Sequence, residues 1–234
     1  MLLGALMMEP TTKLTAKPTN GRLVYHDNLF DRLFIRLFSG KMAKALGQRA
    51  VLSPGYDGFV ALSQQIMAGR NAADQQQVVA RVLGSLVPAP VLWAIRTLVT
   101  PNRWVCESNA WFATQLFEWL VGPCQVKAAE VVTPDGRKQI QNSAVQIEKC
   151  RYLEQSGCVG MCVNMCKLPT QKFFTEQFGI PLTMIPNFED LSCEMIFGQM
   201  PPPLETEAVY QQPCLSDRCT MASPPPQPCP KVRS

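Results

Sequence analysis

Eight of the ten cysteines, Cys150, Cys158, Cys162, Cys166, Cys193, Cys214, Cys219 and Cys229, fall within residues 150–229, while Cys106 and Cys124 stand apart upstream. Such density has two ordinary causes: disulfides in a secreted chain, or metal in an intracellular one. The start of the chain argues against secretion. MLLGALMM carries no basic residue before its apolar stretch, and Glu9-Pro10 follow at once. Residues 11–22 hold Lys13, Lys17, Arg22 and four threonines without an acid, the composition of a short transit segment.

Histidine occurs once, at His26, which excludes an HExxH helix and every site that needs two imidazoles. Neither a Walker loop nor a GxGxxG fingerprint is present. The formal charge of +4, from 22 bases against 18 acids, gives no electrostatic case for nucleic acid. With 47% hydrophobic and 17% charged residues the chain has ample material for a core. The longest uncharged stretch, 82–95, contains Gly84, Pro88 and Pro90, so it is too short and too broken to span a bilayer.

Hydrophobic spacing predicts an α+β fold: a mostly helical N-terminal half, a small β hairpin, and a cysteine-rich, partly irregular C-terminal region. Helices are expected at about 28–46, 58–68, 73–87, 90–100 and 107–121, punctuated by Pro88, Pro101 and Pro123. In the first, Leu29, Leu33 and Leu37 recur every four residues, as do Phe30, Phe34 and Phe38, with Asp31, Arg32, Arg36, Lys41 and Lys44 on the other side. It reads as a core helix, or as an interfacial helix on anionic lipid. Residues 124–133 and 137–149 read as two strands joined at Pro134-Asp135-Gly136. A helix follows from Pro169 to Gly179, then an edge strand at 180–185. The expected divisions are a disordered or targeting segment 1–22, a helical region 23–122, a cysteine-rich metal-binding region 123–220, and a proline-rich disordered tail 221–234.

The centre of the cysteine region is Cys150-RYLEQSG-Cys158-VGM-Cys162-VNM-Cys166. Cysteines four apart share a helix face about 6 Å apart along the axis, but Cys158 and Cys166 would stand about 12 Å apart on an unbroken helix. Either the turn distorts near Gly157 and Gly160, or the run serves more than one centre. Cys193 is the first choice as a fourth ligand beside Cys158, Cys162 and Cys166; Cys150, Cys214 and Cys219 are its rivals. All-thiolate coordination selects zinc, iron–sulfur or Cu(I), and the absence of C-x₂-C pairs favours iron. Buried free thiols packed as small apolar residues are the bland alternative. Glu194 and Asp190 flank Cys193 as candidate proton donors, though loop capping explains them as well. Met161, Met165, Met184, Met195 and Met200 read as core filler or as an adaptable lining for a long apolar ligand, and the four tryptophans as core or interface anchors.

The run CRYLEQSGCVGMCVNMCKLPTQKFF, followed by PLTMIPNFEDLSCEMIFGQMPPP and then Pro213-Cys214 and Cys219, resembles the plastid β-carotene isomerases of the strigolactone pathway. The upstream pieces VYHDNLFDRLF and FEWLVGPC are similar to that family too, so the likeness covers roughly residues 24–220. The resemblance implies a chloroplast protein, soluble or peripheral to a membrane, that interconverts all-trans- and 9-cis-β-carotene. It implies iron as an iron–sulfur cluster, held among Cys150, Cys158, Cys162, Cys166, Cys193, Cys214 and Cys219, and carotenoid-cleaving enzymes acting downstream. One-electron exchange with the metal would lower the order of the polyene double bond; protonation by Glu194 or Asp190 is the rival route. A small iron–sulfur electron carrier and a zinc-stabilised interaction module are the alternatives in other classes. Because the substrate resides in lipid, residues 28–46 are the expected membrane contact.

Overall fold

The computed structural model describes residues 23, 25–48, 53–132 and 136–233. The expected targeting segment 1–22 and the turn residues Pro134 and Asp135 lie outside these. Six helices come first: α1 (Leu29–Ala45), α2 (Gly55–Met67), α3 (Ala72–Gly84), α4 (Ala89–Leu98), α5 (Arg103–Leu116) and α6 (Glu118–Val121). Side-chain caps set the starts of three of them. Asn28 accepts from the Asp31 amide at 2.9 Å while Asp31 accepts from the Asn28 amide at 2.8 Å, a reciprocal box that fixes α1. The Asn71 and Asn102 side chains accept from the first-turn amides of α3 and α5. The expected helices lie within a few residues of those observed, and the last is split at Phe117 into α5 and α6.

A four-stranded antiparallel sheet follows, in the order β1-β2-β4-β3. The hairpin β1 (Cys124–Val132) and β2 (Lys138–Ile147) is the expected one, and β3 (Leu182–Pro186) is the expected edge strand. The central strand β4 (Cys193–Phe197) reads as a loop in the sequence. Its alternation explains its place. Cys193, Met195 and Phe197 face the main core, in register with Ile147, Val145 and Leu182, while Ile196 packs on Val131 and Ala144 across the sheet.

Between the hairpin and β3 the chain is helical: α7 (Arg151–Ser156), then a run over 159–178. That run is α-helical at α8 (Val159–Met161), π-helical at Cys162–Lys167, α-helical again at α9 (Leu168–Lys172) and π-helical at Phe173–Phe178. The break before it falls at Gly157, whose left-handed φ of 58° ends α7. Cys158 is therefore extended, and precedes the helix that carries Cys162 and Cys166.

Among the described residues the main core runs from Ile35 to Val232. Trp119 stands at its centre, with ring centroids 4.8 Å from Phe38 and 5.5 Å from Phe59. The proline-rich end is not the disordered tail that its composition predicts. Cys229 and Val232 are buried, Pro213 bridges Pro228, and the Asn164 side-chain amide donates to the Lys231 carbonyl at 2.7 Å. Proline needs no amide partner, so this segment docks through its few apolar side chains and through carbonyls.

Candidate active site: a thiol chamber beside an apolar cavity

Two neighbouring spaces define the site. The larger is a cavity of about 550 Å³ enclosed by α1, α2, α3, α5, the 159–178 helical run and the core face of the sheet. Its walls are aliphatic and aromatic, with Phe34, Phe59, Phe112 and Phe174 among the rings and Met165, Met184 and Met195 beside them. Five polar residues reach it, Ser63, Asn109, Tyr152, Cys166 and Thr170, and none of its lining residues is ionised at neutral pH. The volume is within the usual range for a ligand cavity, about 300–1,000 Å³. The methionines expected as core filler or as an adaptable lining divide between the two roles, except Met200, which is exposed.

The smaller space, about 10 Å³, is lined by Cys150, Cys162, Cys166 and Cys193 together with Lys167, Ile147, Leu153 and Pro186. It takes about one water-sized sphere. The two spaces share a wall made of Val121, Tyr152, Cys166 and Met184.

Local structure explains why these four thiols meet. Cys162 and Cys166 lie within the Cys162–Lys167 π-helix, a wide turn of the kind often found at functional sites. Cys193 opens β4, between Ile147 and Pro186 in the sheet register. Cys150 precedes α7, and its amide donates to the Leu191 carbonyl at 2.7 Å. Leu191 holds a left-handed φ of 65°, unusual for a branched residue, so the turn that joins Cys150 to the Cys193 strand is strained. Over the Cys150 end, Arg151 lies on the Tyr56 ring and pairs with Asp27, and Glu154 accepts from Tyr25 and pairs with Lys149.

Burial raises all four thiols, and repulsion from neighbouring thiolates adds to it at Cys162, Cys166 and Cys193. Burial comes first for each; Cys166, Cys193 and Cys150 then raise Cys162 further, while Lys167 works the other way on Cys162 and Cys193. Cys166 is pushed up to about 12. Lys167 is itself buried, donating to Glu207 at 2.8 Å, to Gln171 at 2.9 Å and to the Met184 carbonyl at 2.8 Å. Nothing in the sequence marks Lys167 or Glu207 as part of this site; the only available signal is a lysine directly after Cys166.

The other four cysteines of residues 150–229 form a second group. Cys214 lies within hydrogen-bond reach of the Cys219 and Cys229 thiols, and Cys158 senses both of these electrostatically. Backbone contacts bring them together. The Cys219 amide donates to the Leu215 carbonyl, the Cys229 amide to the Gln212 carbonyl, and the Arg218 guanidinium to the Glu154 carbonyl. Cys158 thus departs from Cys162, Cys166 and Cys193, with which its spacing groups it. The chain turns at Gly157, and the eight cysteines of residues 150–229 make two groups of four. Among the described residues no three His, Cys, Asp or Glu side chains already stand as metal ligands, so holding an ion would require the thiols to draw in.

Glu194 and Asp190 line neither space. Glu194 points from the opposite face of β4 towards Lys127, at 3.7 Å, and Asp190 is exposed and caps the Ser192 amide at 2.8 Å. His26 is exposed as well.

A family profile described as β-carotene isomerase D27-like, C-terminal, matches residues 119–206, which hold the whole inner quartet and Cys158 but not Cys214, Cys219 or Cys229. The chain is 38% identical over 209 residues to a protein of Medicago truncatula named β-carotene isomerase D27, chloroplastic; the match covers 89% of this chain and 81% of the relative. A protein of the same name from Arabidopsis thaliana is 38% identical over 189 residues, 80% of this chain and 70% of its own. No solved structure matches. The likeness runs through the helical half and the cysteine region alike, and on that extent the chain belongs to the D27-type β-carotene isomerase family.

Proposed function

We infer that this chain is a carotenoid cis–trans isomerase that interconverts all-trans- and 9-cis-β-carotene, working in the chloroplast as its relatives' names state of them. The observation that carries the reading is the shared wall: Cys166 belongs both to the chamber of four thiols and to a cavity with no ionised lining residue. A hydrocarbon offers nothing to a charge, so such walls suit it, and burial contributes about 25 cal/mol per Å² of apolar surface. Tyr152 and Met184 stand beside Cys166 in the same wall and hold the polyene against it.

The donor set suits iron. Cys150, Cys162, Cys166 and Cys193 offer four soft ligands, and no carboxylate or imidazole lines their chamber. Lys167 favours ionisation of Cys162 and Cys193, as binding a metal requires. Among the described residues no three thiols already stand at ligand positions, so binding iron, alone or as a cluster, would require the quartet to move. Iron bound there would supply a one-electron exchange that lowers the double-bond order of the polyene and returns without net redox change. The surrounding Phe and Met side chains keep water from the polyene during that exchange. Glu194 and Asp190, the donors of the protonation route, line neither space, which supports the thiol route over it.

The test is to incubate the purified chain with all-trans-β-carotene in detergent and resolve the isomers by chromatography, with iron measured on the same sample. Isomerisation that scales with iron content is expected. A chain that isomerises equally well without iron would overturn the thiol–iron route. One that holds iron and leaves carotene unchanged would favour the electron-carrier reading. Stoichiometric zinc in a colourless protein, again without isomerisation, would favour the interaction module.

A further inference from the structure

Helix α1 buries Ile35, Phe38 and Met42 and leaves its leucine row outside: Leu29 is 85% exposed and Leu33 is 62% exposed. Helix α5 does the same with Trp104, which is 75% exposed, and with Trp111 and Phe112. Three of the four tryptophans are exposed, Trp93 on α4 being the third. Large apolar side chains left outside in this number mark a contact surface.

Two further observations identify what covers it. The first is continuity with the cavity. Leu37, Phe112 and Leu116 are exposed and also line the 550 Å³ cavity, so its mouth opens between α1 and α5 onto this apolar face. The second is charge. The exposed side of α1 carries Arg32, Arg36 and Lys44 among its leucines, and its one acid, Asp31, is spent on the Asn28 cap. Leucine and arginine on one exposed face, with tryptophans beside them, is the composition of a helix lying in a lipid headgroup layer. No single helix among the described residues is long and apolar enough to cross a membrane.

We propose that the exposed face of α1, continued by α4 and α5, docks on an anionic bilayer and presents the cavity mouth to the hydrocarbon layer. The inference rests on the carotenoid reading for its purpose: the substrate enters from lipid without crossing water. The docking itself stands on the geometry and charge just described.

The test floats the full chain with vesicles of phosphatidylcholine plus phosphatidylglycerol, or of phosphatidylcholine alone, with no carotenoid present. Flotation with the anionic vesicles is expected, weakening with salt. Leu29→Glu with Leu33→Glu, both outside the cavity lining, should cut the bound fraction at least about tenfold while isomerisation of detergent-dissolved β-carotene is unchanged. Arg32→Gln with Arg36→Gln should remove only the preference for anionic lipid. Absence of flotation, or undiminished flotation of the leucine variant, overturns the proposal. So does a parent chain that stays off vesicles and sediments as a dimer that the leucine variant dissociates, since a second copy then covers the face. Flotation without isomerisation in any medium supports docking and overturns the isomerase reading instead.

Discussion

The inner and outer cysteine quartets arise from the same third of the chain, yet their surroundings differ. The inner four line one small chamber with a lysine at its edge and the apolar cavity behind one thiol. Of the outer four only Cys229 is buried, and the group sits where the last segment folds back on α7 and α8. Cys158 and Cys162 are neighbours on the sequence scale and belong to different groups: Cys158 is extended just before α8, after the turn at Gly157, whereas Cys162 lies in the π-helix that follows α8. Equal spacing in a motif therefore does not establish a common ligand set; the conformation between the residues decides it.

The comparison breaks or sharpens in four ways. The largest effect is expected from Cys162→Ala or Cys193→Ala, each lowering iron content to background and isomerisation by at least about a hundredfold. Cys214→Ala and Cys219→Ala should leave both within about twofold. Metal analysis and isomer chromatography on all four variants decide the matter, and the reverse pattern would exchange the roles assigned to the two groups.

Next in size is Lys167→Met. It strands Glu207 as a buried unpaired charge, which costs about 3–5 kcal/mol in urea unfolding. Adding Glu207→Leu should recover most of that stability and none of the thiolate bias, so the double variant should fold and bind iron weakly.

A smaller effect follows from Ala113→Phe, which places a ring in the cavity from a residue that does not line the thiol chamber. Overpacking costs about 1–3 kcal/mol, and KM for β-carotene should rise about tenfold with iron content unchanged.

The smallest is a pH effect on the metal-free chain. Burial raises the inner thiols, Cys166 to about 12, above the unfolded value of about 8.5. The folded state then keeps protons that the unfolded chain has lost. Stability is full below about pH 8.5 and declines as pH rises towards about 12. Urea midpoints at about pH 8 and about pH 10 should show this fall, and Cys166→Ala should lessen it, with Cys150, Cys162 and Cys193 supplying the remainder. Iron binding should run the opposite way, strengthening as pH rises, because the ligands must shed their protons.

Much of the scaffold is legible in the sequence because its signals are local. Period-four leucine and phenylalanine rows place α1, prolines separate the helices, and alternation places the hairpin. What escapes is set by tertiary contact. In β4, Cys193-Glu-Met-Ile-Phe is short enough to pass for a loop, and only its place between β2 and β3 makes it a strand. Proline richness at 221–233 reads as disorder, whereas the segment is held by Cys229, Val232 and a bridge between two prolines. The thiols stand out in the sequence as a concentration, but their division into two groups does not, since a left-handed glycine and a π turn leave no periodic trace. Proximity along the chain misleads in the same way at Glu194 and Asp190, which lie close to Cys193 in sequence but point elsewhere.

The wide turn at Cys162–Lys167 carries a consequence of its own. Such a turn is what remains when one surplus residue is squeezed into an ordinary helix whose two ends keep their places. Removing one codon there would let the tighter ladder re-form, giving a sturdier helix with its sulfur atoms re-aimed. Regularity and reactivity pull against each other in this segment, and a shorter, more robust chain would be a poorer catalyst.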